Sequence, residues 1–325
     1  MDKIAFIIGE TFLYWNSIFL VLGALSAAML FLAFYLGRSG NAIAGFLYLP
    51  LSIGLSVLLA RLVHWYCHTD SYGSLHTAIT NFLSGGYALC GAFAGCFLAA
   101  VLLRLANVAK DLPELLDCAC LAGAGGISVG RLACFFTNAD RGAILDSTWG
   151  FPFTWPTINS VTGESENRMA IFLFQALLCG CFLLILTVFW LSTRKKHRNG
   201  DTCLLFLLLY GASQAILDSM RYDSLFLRSN GFVSLVQILG AAAVVLPVIV
   251  FSVRSVRAWR LRVWHILLWL IAGGALGGAG YMEYYVQRHG NLALFCYSVM
   301  SVCMAAVILI ALTFYSFGGS RAKPK

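Results

Sequence analysis

Long apolar runs constrain this chain more than any other feature of its sequence. About nine runs of roughly 20 residues or more follow one another, each long enough to cross a hydrocarbon core of about 30 Å. The 325 residues are 60% hydrophobic and only 11% charged, which excludes a soluble globular domain. The pattern predicts an all-α, polytopic helical membrane protein, with spans near 14–37, 42–66, 82–106, 115–136, 169–192, 203–222, 232–253, 263–286 and 292–317.

Basic residues determine the predicted orientation. In a soluble protein the net charge of +8 would suggest nucleic acid as a partner, but here the cations lie in short connections between apolar runs and indicate topology. Most of them follow the first, third, fifth and seventh runs or lie in the tail: Arg38, Arg104, Lys110, Arg194, Lys195, Lys196, Arg198, Arg254, Arg257, Arg260, Arg262, Arg321, Lys323 and Lys325. The positive-inside rule therefore predicts an external N-terminus, a cytoplasmic C-terminus and an external 137–168 connection, which we expect to form an ordered cap.

The cysteines and histidines do not predict a metal site. Most of the 11 cysteines lie inside apolar runs, where a thiol behaves as a small hydrophobe, and no CxxC pair or zinc spacing occurs. His64 and His68 flank Cys67, but a metal site needs further ligands, and histidines are ordinary at a membrane–water boundary. We predict no metal and no cofactor.

Charged side chains within the apolar runs are the candidate functional residues. A charge near the bilayer centre costs at least about 2.5–3.5 kcal/mol, so Arg61, Arg131, Asp218 and Arg221 are expected to face a bundle interior or a wet cavity. All four fall toward the outer ends of their spans and would converge on one outward-opening cavity. The alternative is that each extends to the headgroups. Arg131, followed by five further apolar or small residues, favours a buried role.

A buried guanidinium suits one ligand class in particular. Its planar fork matches two phosphate oxygens, so a phospholipid headgroup is the expected ligand of Arg131. Asp218 and Arg221 stand at i, i+3 and are expected on one helix face with Tyr210. The alternative is structural, in which Asp218 pairs with Arg221 or with Arg131 to hold the bundle together.

A cluster of small residues marks a further tight position. In "SGGYALCGAFAGCF", Gly91 and Gly95 form a small-xxx-small pattern that predicts a close helix contact. Cys90 lies in this patch. It is either a core thiol or a functional group on the same half of the membrane as Arg131.

The motifs together resemble a known family. "SGGYALCGAFAG", "GRLACFFTNADRG", "WGFPF", "YGASQAILDSMRYD" and "GFVSLVQILG" occur in an order and spacing similar to those of the prolipoprotein diacylglyceryl transferases, over roughly residues 14–253. Those bacterial inner-membrane enzymes move a diacylglyceryl group from phosphatidylglycerol onto a prolipoprotein cysteine and release glycerol phosphate. The resemblance implies a seven-helix core over 1–253 and a two-helix extension with a basic tail over 254–325.

The resemblance also implies site residues. Gly130, Arg131 and Gly142 match the ends of the family signature, Cys134 stands at an asparagine-or-cysteine position, and Arg61 resembles an arginine near the end of the second span. The implied substrate-binding residues are Arg131, Arg61, Cys134, Gly142 and Gln214. The implied catalytic residues are Cys90, Asp218 and Arg221.

Some positions depart from the family pattern. Cys90 replaces a histidine or tyrosine, Gln214 replaces an arginine, Asn16 replaces a tyrosine, and the run 169–175 loses most polar groups. The sequence therefore predicts a transferase-like enzyme acting on phosphatidylglycerol, or another anionic phospholipid, and a prolipoprotein signal peptide. The alternatives are a catalytically altered relative that binds or transports phospholipid, or one that transfers a different lipid group.

Overall fold

The computed structural model describes residues 4–9, 11–39, 41–69, 72, 74–80, 85–145, 148–159, 162–193, 198–227, 230–290 and 292–319. Lys3, Arg194, Lys195, Lys196, Arg228, Arg321, Lys323 and Lys325, on which part of the orientation argument depends, lie outside these residues. The helices are α1 Trp15–Ser39, α2 Ala42–Cys67, α3 Leu75–Thr80, α4 Leu89–Leu105, α5 Leu112–Gly130, α6 Ile171–Ser192, α7 Asp201–Ser219, α8 Leu235–Trp259, α9 Val263–His289 and α10 Ala293–Gly319.

The predicted polytopic helical class is confirmed. Within the described ranges, eight helices are long and apolar enough to cross a membrane, and α4 is a shorter apolar helix of 17 residues. Helix α4 corresponds to the predicted third span but begins later than residue 82. Helix α5 continues directly into a 3₁₀ helix, Arg131–Phe136, so Arg131 stands at a change of helix type.

The expected helical relation between Asp218 and Arg221 is wrong. Helix α7 ends at Ser219, so Arg221 lies beyond it rather than one turn along the same face. Two contacts redirect the chain here. The backbone N–H of Tyr222 donates to the Arg141 carbonyl (3.1 Å), and Arg221 Nε donates to Asp223 Oδ1 (3.0 Å).

Among the described residues, three antiparallel hairpins accompany the helices and were not expected from the helical pattern. They pair β1 Ile4–Ile8 with β2 Thr11–Tyr14, β3 Thr154–Ile158 with β4 Ser165–Met169, and β5 Phe226–Leu227 with β6 Asn230–Ser234. The second hairpin lies in the long 137–168 connection. That connection is therefore ordered over its described residues, as expected, although the order comes from strand pairing.

The chain divides into two compact units, the first of which is Met1–Phe206 with Met220–Leu235. In this unit α2 packs on α4 and α1 packs on α5. A Cβ at Gly91 would lie 2.4 Å from the Leu59 carbonyl oxygen, and one at Gly95 would lie 2.4 Å from the Ser56 nitrogen. The predicted small-xxx-small contact is thus confirmed, and α2 is its partner.

The second unit comprises Leu207–Ser219 and Val236–Lys325. A Cβ at Gly211 of α7 would lie 2.6 Å from the Gly240 carbonyl oxygen of α8, which requires glycine at this crossing. Helices α9 and α10 pack along one another. Glu283 of α9 accepts hydrogen bonds from Gln237 (2.7 Å) and Gln287 (3.0 Å). The expected domain boundary at 253/254 stays a prediction.

Candidate functional site

Two arginines converge on one buried carboxylate in the first unit. The Arg131 guanidinium forms an ion pair with Asp140 Oδ2, and Arg221 Nη2 lies 2.6 Å from Asp140 Oδ1. Arg221 also donates from Nε to Asp223 Oδ1. Each carboxylate oxygen of Asp140 therefore faces a different guanidinium, a charge-assisted arrangement with high geometric specificity.

The backbone holds Asp140 in place from both sides. Its N–H donates to Asp223 Oδ2 (2.9 Å), and its carbonyl accepts from the Phe172 N–H (3.2 Å) at the start of α6. The residue has φ 54°, in the left-handed region that aspartate tolerates better than most side chains. Segments from α5, α6 and the chain after α7 thus meet at this one residue.

The carboxylate of this cluster is buried, whereas the two arginines are partly exposed. The Asp140 side chain is 3% exposed, whereas those of Arg131 and Arg221 are 17% and 14% exposed. Both arginine side chains are therefore partly accessible, whereas the carboxylate is not. An anion that reaches them would meet two positive groups already held in position.

Arg141 is a second buried arginine that the sequence alone did not single out. It is fully buried, with Nη2 donating to the carbonyls of Cys134 and Thr137 (both 2.8 Å) and Nε donating to Thr157 Oγ1 (3.0 Å). Its guanidinium lies 4.4 Å from the Phe172 ring centroid. Burial lowers the pKa of Arg141 from its ordinary value. An arginine nonetheless stays charged, so it adds positive potential close to the site.

The other residues of the signature support this cluster. Cys134 is buried, and its thiol lies 3.4 Å from Asp140 Oδ2. Gly142 donates its N–H to the Met169 carbonyl (2.9 Å), and a Cβ there would lie 2.9 Å from the Met220 carbonyl oxygen. Glycine at 142 therefore lets three chain segments approach closely, and its predicted contact with substrate stays a prediction.

Arg61 is buried elsewhere, in a separate cluster of hydrogen bonds. Its Nε donates to the Ala78 carbonyl (2.8 Å), and its Nη1 donates to the Gly86 carbonyl and the Tyr72 hydroxyl (3.0 Å each) and to the Gly85 carbonyl. These contacts tie the carboxy-terminal end of α2 to the segment that leads into α4. A lipid contact of Arg61 stays a prediction.

His64 lies beside this Arg61 hydrogen-bond cluster. The Tyr72 hydroxyl lies 2.8 Å from His64 Nδ1, and the His64 and His68 rings stack with centroids 4.5 Å apart. A Cβ at Gly86 would lie 2.7 Å from His64 Cε1, so glycine is required where this segment passes the ring. Within the described residues, no group of three or more histidine, cysteine, aspartate or glutamate side chains has the arrangement of a metal site.

The remaining predicted residues lie on other elements. Cys90 is the second residue of α4 and is partly buried. Gln214 and Asp218 are both buried on α7, in the part of that helix that belongs to the second unit. The structure thus brings Arg131, Cys134 and Arg221 together around Asp140. Asp140 and Arg141 were quoted in the motif but were not predicted as site residues.

Comparisons with known proteins establish the family. The family model described as prolipoprotein diacylglyceryl transferase matches residues 3–253. The chain belongs to this family. Proteins named phosphatidylglycerol–prolipoprotein diacylglyceryl transferase are similar to it along most of their length. The one from Clostridium kluyveri is 26% identical over 258 residues, covering 77% of this chain and 96% of that protein.

Two further relatives give the same result. The Lactococcus lactis subsp. cremoris protein of that name is 26% identical over 260 residues, covering 79% of this chain and 96% of the relative. The Finegoldia magna protein is 25% identical over 240 residues, covering 73% and 91%. Family membership and the apolar helices together make this a multi-pass bacterial membrane protein of a transferase family.

Proposed function

We propose that this protein transfers a diacylglyceryl group from phosphatidylglycerol to the cysteine thiol of a prolipoprotein. The observation that supports this most strongly is the pair of partly exposed arginines, Arg131 and Arg221, held by the single carboxylate of Asp140. A phosphodiester presents two anionic oxygens that can each accept hydrogen bonds from a guanidinium. The relatives are named for phosphatidylglycerol and for prolipoprotein, which agrees with such a headgroup site.

The arginines would act on the leaving group. The acceptor sulfur attacks the glyceryl carbon that bears the phosphate ester, a C–S bond forms, and the C–O bond breaks. The electron pair of that bond leaves on glycerol phosphate, whose oxygens gain one negative charge. Arg131 and Arg221 would stabilise this charge, because donors that are already oriented need no reorganisation in the transition state.

The acceptor thiol must also lose its proton. Cys90, partly buried at the start of α4, is our candidate for the group that receives it: in its thiolate form Cys90 would take up the proton and become a thiol. The family resemblance puts Cys90 at a histidine-or-tyrosine position. Asp218 is proposed as a further catalytic residue. Arg61, Cys134, Gly142 and Gln214 are proposed to contribute to substrate binding. The proposed acceptor is the cysteine that follows a prolipoprotein signal peptide.

A second candidate function is phospholipid binding or transport without transfer. Gln214, where the family has an arginine, favours it, because an amide cannot supply the charge of a guanidinium. In this alternative Arg131 and Arg221 still bind an anionic headgroup. Diacylglyceryl transfer is preferred because the matching family and the similar relatives are named for that reaction.

We further propose that the N-terminus is external and the C-terminus cytoplasmic, with the 137–168 connection outside the cell. The distribution of basic residues supports this orientation. An impermeant maleimide should label Thr162→Cys, made in a background without the native cysteines, in intact cells. Labelling only after lysis would reverse the proposed orientation.

The transfer reaction can be tested directly. Purified protein is mixed with phosphatidylglycerol vesicles and a synthetic signal peptide containing the lipoprotein cysteine, and both glycerol phosphate release and peptide mass are measured. We expect Arg131→Lys to lower the rate about ten- to a hundredfold, since it loses one charge-assisted hydrogen bond contributing roughly 1.5–3 kcal/mol. The exposed Arg104 of α4 provides the matched control, and Arg104→Lys should match wild type.

The outcomes separate the two candidate functions. An unchanged rate in a folded Arg131→Ala protein would exclude the proposed headgroup site. Wild-type protein that binds phosphatidylglycerol through Arg131 but releases no glycerol phosphate would favour binding without transfer. Growth of a bacterium depleted of its own transferase provides the complementary test in cells.

A further inference from the structure

The amino-terminal hairpin exposes apolar side chains on both of its faces. Strands β1 and β2 pair antiparallel, with Phe6 opposite Leu13 and Ile7 opposite Phe12. Neighbouring residues of a strand point to opposite faces, so exposure of both Phe6 (57%) and Ile7 (63%) leaves each face uncovered. The exposed large side chains of the hairpin are Ile4, Phe6, Ile7, Phe12, Leu13 and Tyr14.

Such a hairpin needs an apolar environment. A two-stranded hairpin is at best marginally stable in water, and contiguous exposed apolar surface marks a binding surface. The unpaired backbone groups of its outer edges, however, cannot lie in the hydrocarbon core without a large cost. The environment that meets both conditions is the boundary between headgroups and acyl chains, where amphipathic elements bind.

The hairpin is continuous with a lipid-facing surface. Strand β2 ends at Tyr14 and α1 begins at Trp15, with no connecting residues. The first turns of α1 expose Leu20, Val21 and Leu22, as expected of a membrane-spanning helix with lipid on that side. The exposed apolar side chains of the hairpin and of the helix are thus separated only by the partly buried residues 15–19, of which Asn16 and Ser17 are polar.

Contacts between aromatic rings join the hairpin to the segment that bears Arg131. Phe6 lies 6.1 Å from Trp15, Trp15 stacks on Phe136 at 5.9 Å, and Phe19 stacks on Phe136 at 5.8 Å between ring centroids. Phe136 is the last residue of the 3₁₀ helix that begins at Arg131. The depth of the hairpin in a membrane is thereby coupled to the depth of Arg131.

We infer that the β1–β2 hairpin is a lipid-binding surface, whose apolar side chains insert among the acyl chains of the leaflet at the amino-terminal end of α1. Its occupant is the phospholipid of that leaflet, rather than a second copy of the chain or another protein. The hairpin fixes the level of the Arg131-bearing 3₁₀ helix relative to the headgroups. This surface goes beyond the proposed transfer reaction and does not depend on it.

Photo-crosslinking of the full chain tests the inference. Phe6→p-benzoyl-phenylalanine and Phe12→p-benzoyl-phenylalanine are made separately and reconstituted in vesicles of phosphatidylglycerol and phosphatidylcholine. Leu20 of α1 is the positive control, and the exposed Glu164 near the turn between β3 and β4 is the negative control. After irradiation, intact mass measurement detects the addition of one phospholipid.

We expect phospholipid adducts at positions 6, 12 and 20 and none at 164. Adducts at 20 alone would place the hairpin in water and overturn the inference. Crosslinked dimers at 6 or 12 in place of lipid adducts would assign the surface to a second copy and would overturn it equally. Each variant must retain the wild-type unfolding temperature; one that does not is replaced by the same probe at Ile7 or Tyr14. Transfer activity does not enter this result, so failure here is distinguishable from failure of the proposed function.

Discussion

At the scale of single residues, Asp140 determines how the two arginines are held. It contributes one negative charge between two guanidiniums and is itself nearly inaccessible, so neither solvent nor salt can replace it easily. The sequence shows that Arg131 is unusual because it follows a long apolar run. It does not show the partner, because Asp140 is reached only after the chain leaves the helix and turns with a positive φ.

Replacing this carboxylate should destabilise the protein strongly. We expect Asp140→Asn to lower the free energy of unfolding by up to about 3–5 kcal/mol, since it leaves two positive groups without their shared partner. Asp223→Asn is the matched control. Its side chain is 27% exposed, so its loss should cost less. Thermal unfolding in detergent measures both. Equal and small shifts would show that the arginines are held by other groups.

Glu166 gives a pH-dependent prediction in the β3–β4 hairpin. A hydrogen bond from Asn159 (2.6 Å) and a second from Arg168 lower the pKa of Glu166 below its ordinary value of 4.5. A carboxyl group with a lowered pKa stabilises the fold above its unfolded-state pKa, and this stabilisation is lost as the pH falls through the folded-state value. Glu166→Gln should therefore unfold at a lower temperature than wild type at pH 7.

The difference in unfolding temperature between wild type and Glu166→Gln should disappear as the pH falls well below 4.5, the ordinary pKa of the Glu166 carboxyl group. Unfolding temperatures of wild type and Glu166→Gln, measured across the acidic range, provide the test. Glu164→Gln, the same substitution at a neighbouring position, is made as the matched control. A gap that stays constant with pH would contradict an ionised Glu166 in these bonds.

At the scale of elements, close helix contacts are the best-predicted feature. The Gly91–Gly95 pattern indicated such a contact, and the structure places the α2 backbone against both glycines. Gly95→Ala should lower the unfolding temperature, because the added methyl would meet backbone atoms of Ser56 that cannot move aside. Gly54→Ala on α2 is the control, since no neighbouring atom lies within 4 Å of the Cβ that alanine would add there.

Gly54→Ala should leave the unfolding temperature unchanged or raise it slightly, because alanine is a better helix former than glycine by about 1 kcal/mol. An equal response of the two variants would mean that α2 and α4 are not in close contact. The measurement is again thermal unfolding, made in the same detergent for both proteins.

Periodicity and composition predicted the helices but neither the hairpins nor the end of α7. Hydropathy is averaged over about 20 residues, so strands of five residues such as Thr154–Ile158 do not register. Helix α7 ends before Arg221, where Arg221 pairs locally with Asp223 and the Tyr222 N–H donates to the Arg141 carbonyl. The second of these contacts is tertiary and cannot be read from the local sequence. The Arg131–Asp140–Arg221 cluster is likewise assembled from distant segments, which spacing alone cannot reveal.

At the scale of the whole molecule, the two added helices belong to the second compact unit. Glu283 of α9 accepts a hydrogen bond from Gln237, a position in the family-like part of the chain, so the extension completes a buried polar contact there. The arginine cluster lies entirely in the first unit. Stability and headgroup binding are therefore expected to respond differently to loss of the extension.

Truncation after Arg262 should leave phosphatidylglycerol affinity unchanged while lowering the unfolding temperature. Removing Glu283 leaves the buried Gln237 amide without this acceptor, at a cost of about 1–3 kcal/mol. Full-length Glu283→Ala should reproduce part of the loss. Vesicle flotation and thermal unfolding measure the two properties. Loss of lipid binding by a truncated protein that is still folded would show that the extension helps to form the site.

The length of α4 has a consequence for the bilayer itself. At 1.5 Å per residue its 17 residues extend about 25 Å, less than the typical hydrocarbon thickness of about 30 Å. A membrane adapts to a short span by thinning locally, at a modest cost for each ångström of mismatch. We expect lipid headgroups to dip toward the bilayer midplane beside α4, so that a lipid there has less distance to travel from its leaflet into the protein.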